Sequence, residues 1–315
     1  MVAISVIMSV YKEPVDWLRQ SIDSILNQTY NDFEFIIICD NPTYKEGITL
    51  LYEYASKDDR IHLIFNEENI GLTKSLNKGL ALANGKYIAR MDADDISMPT
   101  RFEKQYRYME QHNNVIVLGT NFKYIGDVPL SYKIIKVVEF KNDRIKAHLL
   151  YGNCFAHSSV FIRRKVLIDN NIRYDETFRT SQDYRMWEVL LPYGDFANLE
   201  EKLLKYRLSS SQVTKTKPLN QIDQAYGISR RLQKRWLDKQ NVLCTISDLE
   251  NNPYKVLCEL KRNEKIVNQC EFKAFLLFVY LESSNRGIAF HALLNGDFFV
   301  LSNQNKLLLL YKLIR

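Results

Sequence analysis

At 315 residues, 46% apolar and 25% charged, the chain has the bulk composition of an ordinary globular protein, long enough for one large α/β domain with an appendage or for two modest domains. Its five cysteines, at 39, 154, 244, 258 and 270, are widely spaced, with no Cys-x-x-Cys pair and no histidine at zinc spacing; this excludes a disulfide framework and a zinc module and reads as reduced, mostly buried thiols. The net charge of +6 is uneven: residues 205 to 239 hold nine Lys and Arg against two acids, a local +7, and the remainder of the chain is close to neutral. Such a block suits an anionic partner (a diphosphate, a membrane surface or nucleic acid), or else a solvated helix face with a mobile loop.

The chain starts without a basic leader and runs at once into a strand pattern, so no signal peptide is expected. No window reaches the roughly twenty uninterrupted apolar residues of a membrane span; Phe272 to Leu281 and Leu307 to Ile314 are too short. Residues 3 to 10 form a nearly continuous apolar, β-branched run, as in a strand buried on both faces of a parallel sheet. After Pro14, Trp17, Leu18, Ser21, Ile22, Ile25 and Leu26 recur at helical spacing, and 33 to 40 is a second buried strand ended by Asn41-Pro42. Strand, helix, strand at this spacing is a βαβ unit, which brings Ser9, Tyr11 and Asp40 to one sheet edge. A helix over 44 to 56, a strand over 61 to 65 and a helix over 72 to 83 follow, stopped by Asn84-Gly85-Lys86.

Tyr87-Ile88-Ala89-Arg90-Met91-Asp92-Ala93-Asp94-Asp95 is an apolar strand that delivers three carboxylates within four residues to the same edge. Acids this close repel one another, and in a desolvated place they need a cation; hard oxygen ligands suit Mg²⁺ or Mn²⁺, completed by waters and phosphate. The plainer reading is a solvated acidic turn capping the next helix. No Gly-x-Gly-x-x-Gly follows the first strand, which argues against a dinucleotide dehydrogenase.

Beyond it, a helix over 99 to 111, a strand over 115 to 119 and a hairpin or meander over 120 to 145 are expected. His157 lies in a loop entering a strand, either orienting an acceptor or phosphate or serving as a structural residue. Ser181-Gln182-Asp183 opens a helix with an acid in its first turn, where it can act in catalysis or merely face the helix dipole. Leu203 to Leu208 is a late strand carrying Arg207, and from about residue 215 the chain reads as helical.

The order of these features (Val6-Ile7-Met8-Ser9-Val10-Tyr11, Ser24 to Tyr30, Glu34 to Asp40, Asn69-Ile70-Gly71-Leu72 and Gly85 to Asp95) resembles glycosyltransferase family 2 over about residues 3 to 210. The resemblance implies a GT-A fold: a mostly parallel, doubly wound α/β sheet with a nucleotide-sugar-binding half at 1–98 and an acceptor-binding half at 99–214, then a helical C-terminal region at 215–315 contacting a membrane or another subunit. It implies that Ser9 and Tyr11 hold base and ribose, that Asp40 binds uracil and that Lys74 lies beside the nucleotide. Asp92 would lie near the ribose, Asp94 would hold the metal, and Ala93 and Asp95 would border the sugar. Asp183 resembles the family's general base, while His157 and Arg207 fall where acceptor or phosphate is met. Three positions depart from the pattern: Cys39 replaces an aspartate, Gln182 replaces the glutamate before the base, and Leu208-Ser209 replace a histidine often found near the diphosphate, for which a water, Lys215 or Lys217 could substitute.

The implied activity is inverting transfer from a UDP-sugar, with Mn²⁺ or Mg²⁺, to a hydroxyl of a lipid-linked oligosaccharide in bacterial surface-polysaccharide synthesis. It implies a cytoplasmic protein with room for peripheral contact with an anionic membrane. One rival is a non-catalytic nucleotide-sugar sensor or assembly partner of the same fold. A second is a nucleotidyltransferase, which lacks support in a glycine- and lysine-rich first loop. Nucleic-acid binding is not expected, because no aromatic residues interleave the basic block in a stacking pattern.

Overall fold

The structure, a computed structural model, describes residues 2–127, 140–209, 218–262 and 269–282. The expected helix at Leu307 to Ile314, the substitutes Lys215 and Lys217, and residues 128–139 of the expected meander lie outside the described residues. The chain divides into two units, the first made of Met1–Lys141 and Cys154–Ile222 and the second of Asn142–Asn153 and Asp223 onward.

The first unit is built on a mixed eight-stranded sheet in the order β3-β2-β1-β4-β7-β6-β8-β5. Its strands are β1 (Ile4–Val10), β2 (Phe33–Cys39), β3 (Ile61–Phe65), β4 (Tyr87–Asp92), β5 (Ile96–Ser97), β6 (Val115–Gly126), β7 (Phe161–Arg163) and β8 (Asp195–Leu208). The first four pair in parallel, as their continuous apolar runs require, and are crossed over by α1 (Val15–Leu26), α2 (Lys45–Ala55) and α3 (Leu72–Leu82). β7 enters antiparallel between β4 and β6. The core gathers Val6, Met8, Phe35, Ile37, Tyr87, Ala89 and Met91 from the sheet with Leu18, Ile22 and Ile25 from α1.

One acid belongs to this interior. Glu34 of β2 is buried, and its carboxylate accepts from Ser5 Oγ (2.5 Å) and the Asn84 N–H (2.6 Å), tying the turn before β4 to the start of β1. A Cβ at Gly85 would meet Ser5 N at 2.5 Å, so that turn needs glycine.

Two elements run longer than the pattern suggests. β6 continues to Gly126 and β8 begins at Asp195, and the two pair in parallel along their length with irregularities in register. Residues 142 to 145, expected at the end of a hairpin or meander, instead open a helix, α5 (Asn142–Leu149). α4 (Arg101–Gln111), α6 (Arg164–Asp169) and α7 (Gln182–Leu190) complete the first unit.

The second unit is helical, comprising α5, most of α8 (Pro218–Lys239), α9 (Ile246–Asn251), α10 (Pro253–Lys261) and α11 (Gln269–Glu282). α11 packs on α5, Trp236 meets Phe275 at 5.5 Å between ring centroids, and Ser229 and Gln233 both donate to the Leu150 carbonyl. Among the described residues no helix is long and apolar enough to cross a membrane. The basic block is not one surface: Arg230 is buried on the ring of Tyr226, and Arg207 is buried in the first unit. No cysteines are bonded to each other; Cys39 and Cys154 are buried and the other three are half-buried.

Candidate active site

The parallel strands end together. Ser9 of β1 lies beside Asp92 of β4 in register, and the Asp40 N–H bonds the Val10 carbonyl at 2.7 Å. Ser9, Tyr11, Asp40 and Asp92 therefore meet at one sheet edge, as expected of strand ends in a doubly wound sheet.

The acidic loop after β4 is held by α1 and the residues just beyond it. Ser21 Oγ donates to the Asp92 carbonyl at 2.8 Å, and Ser24 Oγ accepts the Ser97 N–H at 3.0 Å. Gln28 donates to Ser97 Oγ (3.0 Å) and the Met98 carbonyl (2.8 Å) while accepting the Phe102 N–H (3.0 Å). Ser21 and Ser24 lie one turn apart on α1, and Gln28 stands two residues beyond its end. The polar residues closing this helix are thus the loop's anchors.

Each carboxylate has its own environment. Asp92 is ion-paired with buried Arg90 and accepts from Ser158 Oγ. Burial alone would raise its pKa, but the Arg90 guanidinium and these hydrogen bonds hold it below the usual carboxylate range. Asp94 is pushed up to about 7 by burial first and then by the charges of Asp92 and Glu13. Asp95 lies well above the ordinary range through burial beside Asp94 and Asp92; one oxygen accepts the Arg207 N–H at 2.7 Å, and the other is buried with no hydrogen-bond partner among the described residues. Beneath the loop, buried Arg101 donates to the carbonyls of Ser158 (2.6 Å) and Arg90 (3.2 Å), and burial depresses its pKa to about 9.

Arg207 reaches the same loop from β8. Its Nε donates to the Asp94 carbonyl at 2.7 Å and its Nη2 to Gln20 at 2.8 Å, with the guanidinium 4.9 Å from the ring centre of Trp17. Glu13, which the sequence reading did not single out, accepts the Tyr11 N–H at 2.8 Å and faces Asp92 and Asp94. Burial raises its pKa.

Asp40 is committed to the chain itself. Its carboxylate accepts from Asn66 Nδ2 (2.7 Å) and from the N–H groups of Ile70 and Gly71 (both 2.9 Å), filling three of about four acceptor positions. Gly71 has φ +88°, a left-handed conformation that suits glycine at this turn. Lys74 is exposed on α3, whereas Lys78 reaches Asn66 Oδ1 at 2.7 Å.

On the other side of the site, α3 carries the loop that leads to Asp183. Asn77 exchanges two 2.9 Å hydrogen bonds with the backbone of Tyr174, and Thr73 Oγ1 donates to the Phe178 carbonyl at 2.9 Å. Ser181, which enters α7, has φ +54°, a strained left-handed conformation for a residue with a Cβ, and sets Asp183 in the first helical turn. His157 stands on a 3-10 turn (His157–Ser159) with Nε2 2.8 Å from Tyr174 Oη. Burial, aided by Arg90, lowers its pKa to about 3, so it is a neutral imidazole. Burial first, and then the charges of Asp183 and Asp92, hold the Tyr174 phenol well above its ordinary range.

Arg90, Ser158, Arg101, Glu13, Trp17 and Tyr174 were not legible from pattern alone. Arg90 sits within an apolar strand, where a lone charge carries no periodic signal.

An open sheet edge bearing three carboxylates in one loop, with a further acid in the first turn of α7, is the arrangement of an α/β protein that binds its ligand at the strand ends. The glycosyl transferase family 2 model matches residues 5–170. The chain is 40% identical over 206 residues to an uncharacterized glycosyltransferase of Methanocaldococcus jannaschii, covering 65% of this chain and 70% of the relative. It is 36% identical over 236 residues to the O-antigen biosynthesis glycosyltransferase WbnJ of Escherichia coli, covering 74% of this chain and 90% of WbnJ. Among solved structures it resembles S. aureus TarS 1-349 in complex with UDP-GlcNAc, with TM-score 0.59 and 16% identity over 91% of this chain and 83% of that one. It also resembles the mannosyltransferase PcManGT of Pyrobaculum calidifontis in complex with GDP-Man and Mn²⁺, with TM-score 0.55 and 13% identity over 98% of this chain and 83% of that one. The chain belongs to glycosyl transferase family 2 and is a glycosyltransferase.

Proposed function

We propose that the protein transfers a sugar, with inversion at the anomeric carbon, from a UDP-sugar to a hydroxyl of a lipid-linked oligosaccharide in cell-surface polysaccharide synthesis. What carries the reading is the pairing of two features across one site: the Asp92-Ala93-Asp94-Asp95 loop at the end of β4, and Asp183 at the start of α7, with Tyr174 within range of both. The lipid-linked acceptor is inferred from relatives such as WbnJ, named for O-antigen biosynthesis. A peripheral position on the inner face of the cytoplasmic membrane follows from that acceptor more than from charge, since the basic block is divided.

The acidic loop suits a hard divalent cation. Asp94 carries a pKa raised by burial and by the charges of Asp92 and Glu13, which Arg207 offsets only in part, and one buried oxygen of Asp95 has no donor among the described residues. Among the described residues no three His, Cys, Asp or Glu side chains are grouped to hold a metal unaided, so Asp94 would share Mn²⁺ or Mg²⁺ with diphosphate oxygens and water. When bound, the ion would stabilise charge on the leaving diphosphate.

The chain's own groups do the rest. Asp183 takes the proton of the attacking hydroxyl, Asp92, held ionised by Arg90, faces the ribose, and Arg207 offers its guanidinium to the diphosphate. Tyr11 and Ser9 border the nucleotide, and Asp40 acts by fixing the loop from Asn66 to Gly71 around it. Arg207→Ala should raise the Kd for UDP about tenfold in isothermal titration, as expected for one charge-assisted contact; unchanged UDP affinity would remove Arg207 from the diphosphate site.

A further inference from the structure

We propose that His157 is the positioning residue of the general base: it braces the Tyr174 loop and α7, which carry Asp183, and touches neither substrate. The proposal rests on the reading of Asp183 as the base and goes beyond it by naming what sets that acid in place.

The turn His157–Ser159 is pinned to the sheet residue by residue. Ser158 Oγ donates to the Asp92 carboxylate, and Arg101 of α4 donates to the Ser158 carbonyl at 2.6 Å. Gln105 of α4 donates to the Ser159 carbonyl at 2.8 Å, and Ser159 Oγ accepts the Thr120 N–H of β6 at 3.2 Å. One residue on, the Val160 carbonyl accepts the Arg90 N–H at 2.9 Å. A turn held at so many points gives His157 a fixed place beside β4.

From that place the imidazole meets both carriers of Asp183. Its Nε2 lies 2.8 Å from Tyr174 Oη, in the loop that leads into α7. Its ring stands edge-on to Tyr174, with centroids 5.6 Å apart, and edge-on to Trp187 at 6.2 Å. Trp187 is fully buried and lies one helical turn beyond Asp183 in α7. The loop and the helix are also tied to each other, by the ion pair of Asp175 with Arg185 at 3.2 Å. A displaced imidazole therefore displaces the first turn of α7. A reacting group moved by about 1 Å can cost 10²-fold in rate. His157 itself is 9% exposed and is buried as a neutral imidazole, so it supplies geometry and not charge. Imidazole nitrogen and phenol can each donate or accept, so their bond forms with either tautomer.

The test uses the full chain, UDP-sugar donors, and octyl glycosides of glucose, galactose, GlcNAc and mannose as acceptor probes. His157→Phe keeps a ring against Trp187 and removes the hydrogen bond, whereas His157→Gln keeps a polar atom at the reach of Nε2. Acceptor-dependent kcat should fall about tenfold in His157→Phe and about as far in Tyr174→Phe, with acceptor KM and the Kd for UDP each within about twofold of wild type. His157→Gln should recover most of that loss. The double variant His157→Phe/Tyr174→Phe removes both partners at once, so its melting should return toward that of the wild type while its kcat stays as low as in either single variant. Hydrogen exchange, which needs no turnover, should quicken at residues 174–187 in His157→Phe and stay unchanged at 87–95.

A kcat that recovers together with melting in the double variant would make the contact a matter of packing alone and overturn the proposal. An acceptor KM that rises at constant kcat would also overturn it, since that would put His157 against the acceptor, and a raised Kd for UDP would put it against the donor. If the wild type releases no UDP from any donor, the glycosyltransferase reading fails on its own. The exchange comparison then still decides whether His157 braces α7, and unchanged exchange at 174–187 would show that it does not.

Discussion

Two carboxylates in this site carry opposite pKa shifts only two residues apart. Asp92 is held ionised by Arg90, whereas Asp94 is pushed up to about 7 by burial and by its acidic neighbours. An acid with a raised folded-state pKa destabilises the fold only where it must ionise, so its cost is absent below the ordinary carboxylate pKa and grows as pH rises to about 7. A cation binding at Asp94 must displace that proton. Excess Mn²⁺ should therefore raise the melting temperature more at about pH 8 than at about pH 6; a Mn²⁺ shift independent of pH would contradict an Asp94 site. In the metal-free protein, Asp94→Asn should raise the melting temperature by about 2–4 °C at neutral pH by removing the repulsion. Asp183→Asn, by contrast, should leave stability and UDP affinity unchanged while lowering kcat about 10²- to 10⁴-fold, the range for a general base.

At the scale of elements, the site is assembled by helices that touch no chemistry themselves. Gln28, just beyond α1, satisfies four groups, one of them the Phe102 N–H at the start of α4. Gln28→Ala leaves the buried Ser97, Met98 and Phe102 groups unpaired and should destabilise by about 2–3 kcal/mol, measured by chemical denaturation. Asn77→Ala frees the loop from Tyr174 to Phe178 and should lower kcat with little change in the Kd for UDP, because that loop positions Asp183 and not the nucleotide. The strands and helices of the first hundred residues were legible in the sequence: buried parallel strands read as unbroken apolar runs, and the amphipathic helices between them read at helical spacing. The acidic loop was legible as three carboxylates that repel one another. The clamps were not. Ser21 read as one position of the helix's buried stripe, Ser24 and Gln28 fell in the stretch that closes it, and Asn77 was not singled out, because their partners lie about 70 or more residues away, except for local bonds, and leave no periodic trace. The helix at Asn142–Leu149 was missed for a related reason. Its apolar face is completed by α11, so the signal is divided between distant segments.

For the whole molecule, that interrupted chain course has a consequence. α5 buries Ile145, Ala147 and Leu149 within a unit otherwise made from Asp223 onward. Truncation after residue 222 would uncover Ile145 and Leu149, each worth about 1.5–3 kcal/mol of apolar burial. The shortened protein should aggregate or melt non-cooperatively, as read by size-exclusion chromatography and calorimetry; a monomer melting as sharply as the full chain would show that α5 does not depend on those helices. The family match and the acidic sheet edge make transfer chemistry the central claim. Its most direct measurement is UDP release by the purified full chain from a panel of UDP-sugars with Mn²⁺, with and without chelator, and beside Asp183→Asn. Release that depends on metal and on an added acceptor, from one donor, and is lost in the variant, is the predicted result. Tight UDP binding with no release from any donor, even with lipid-linked acceptors present, would contradict it and leave a nucleotide-sugar sensor in which Asp183 only faces a helix dipole.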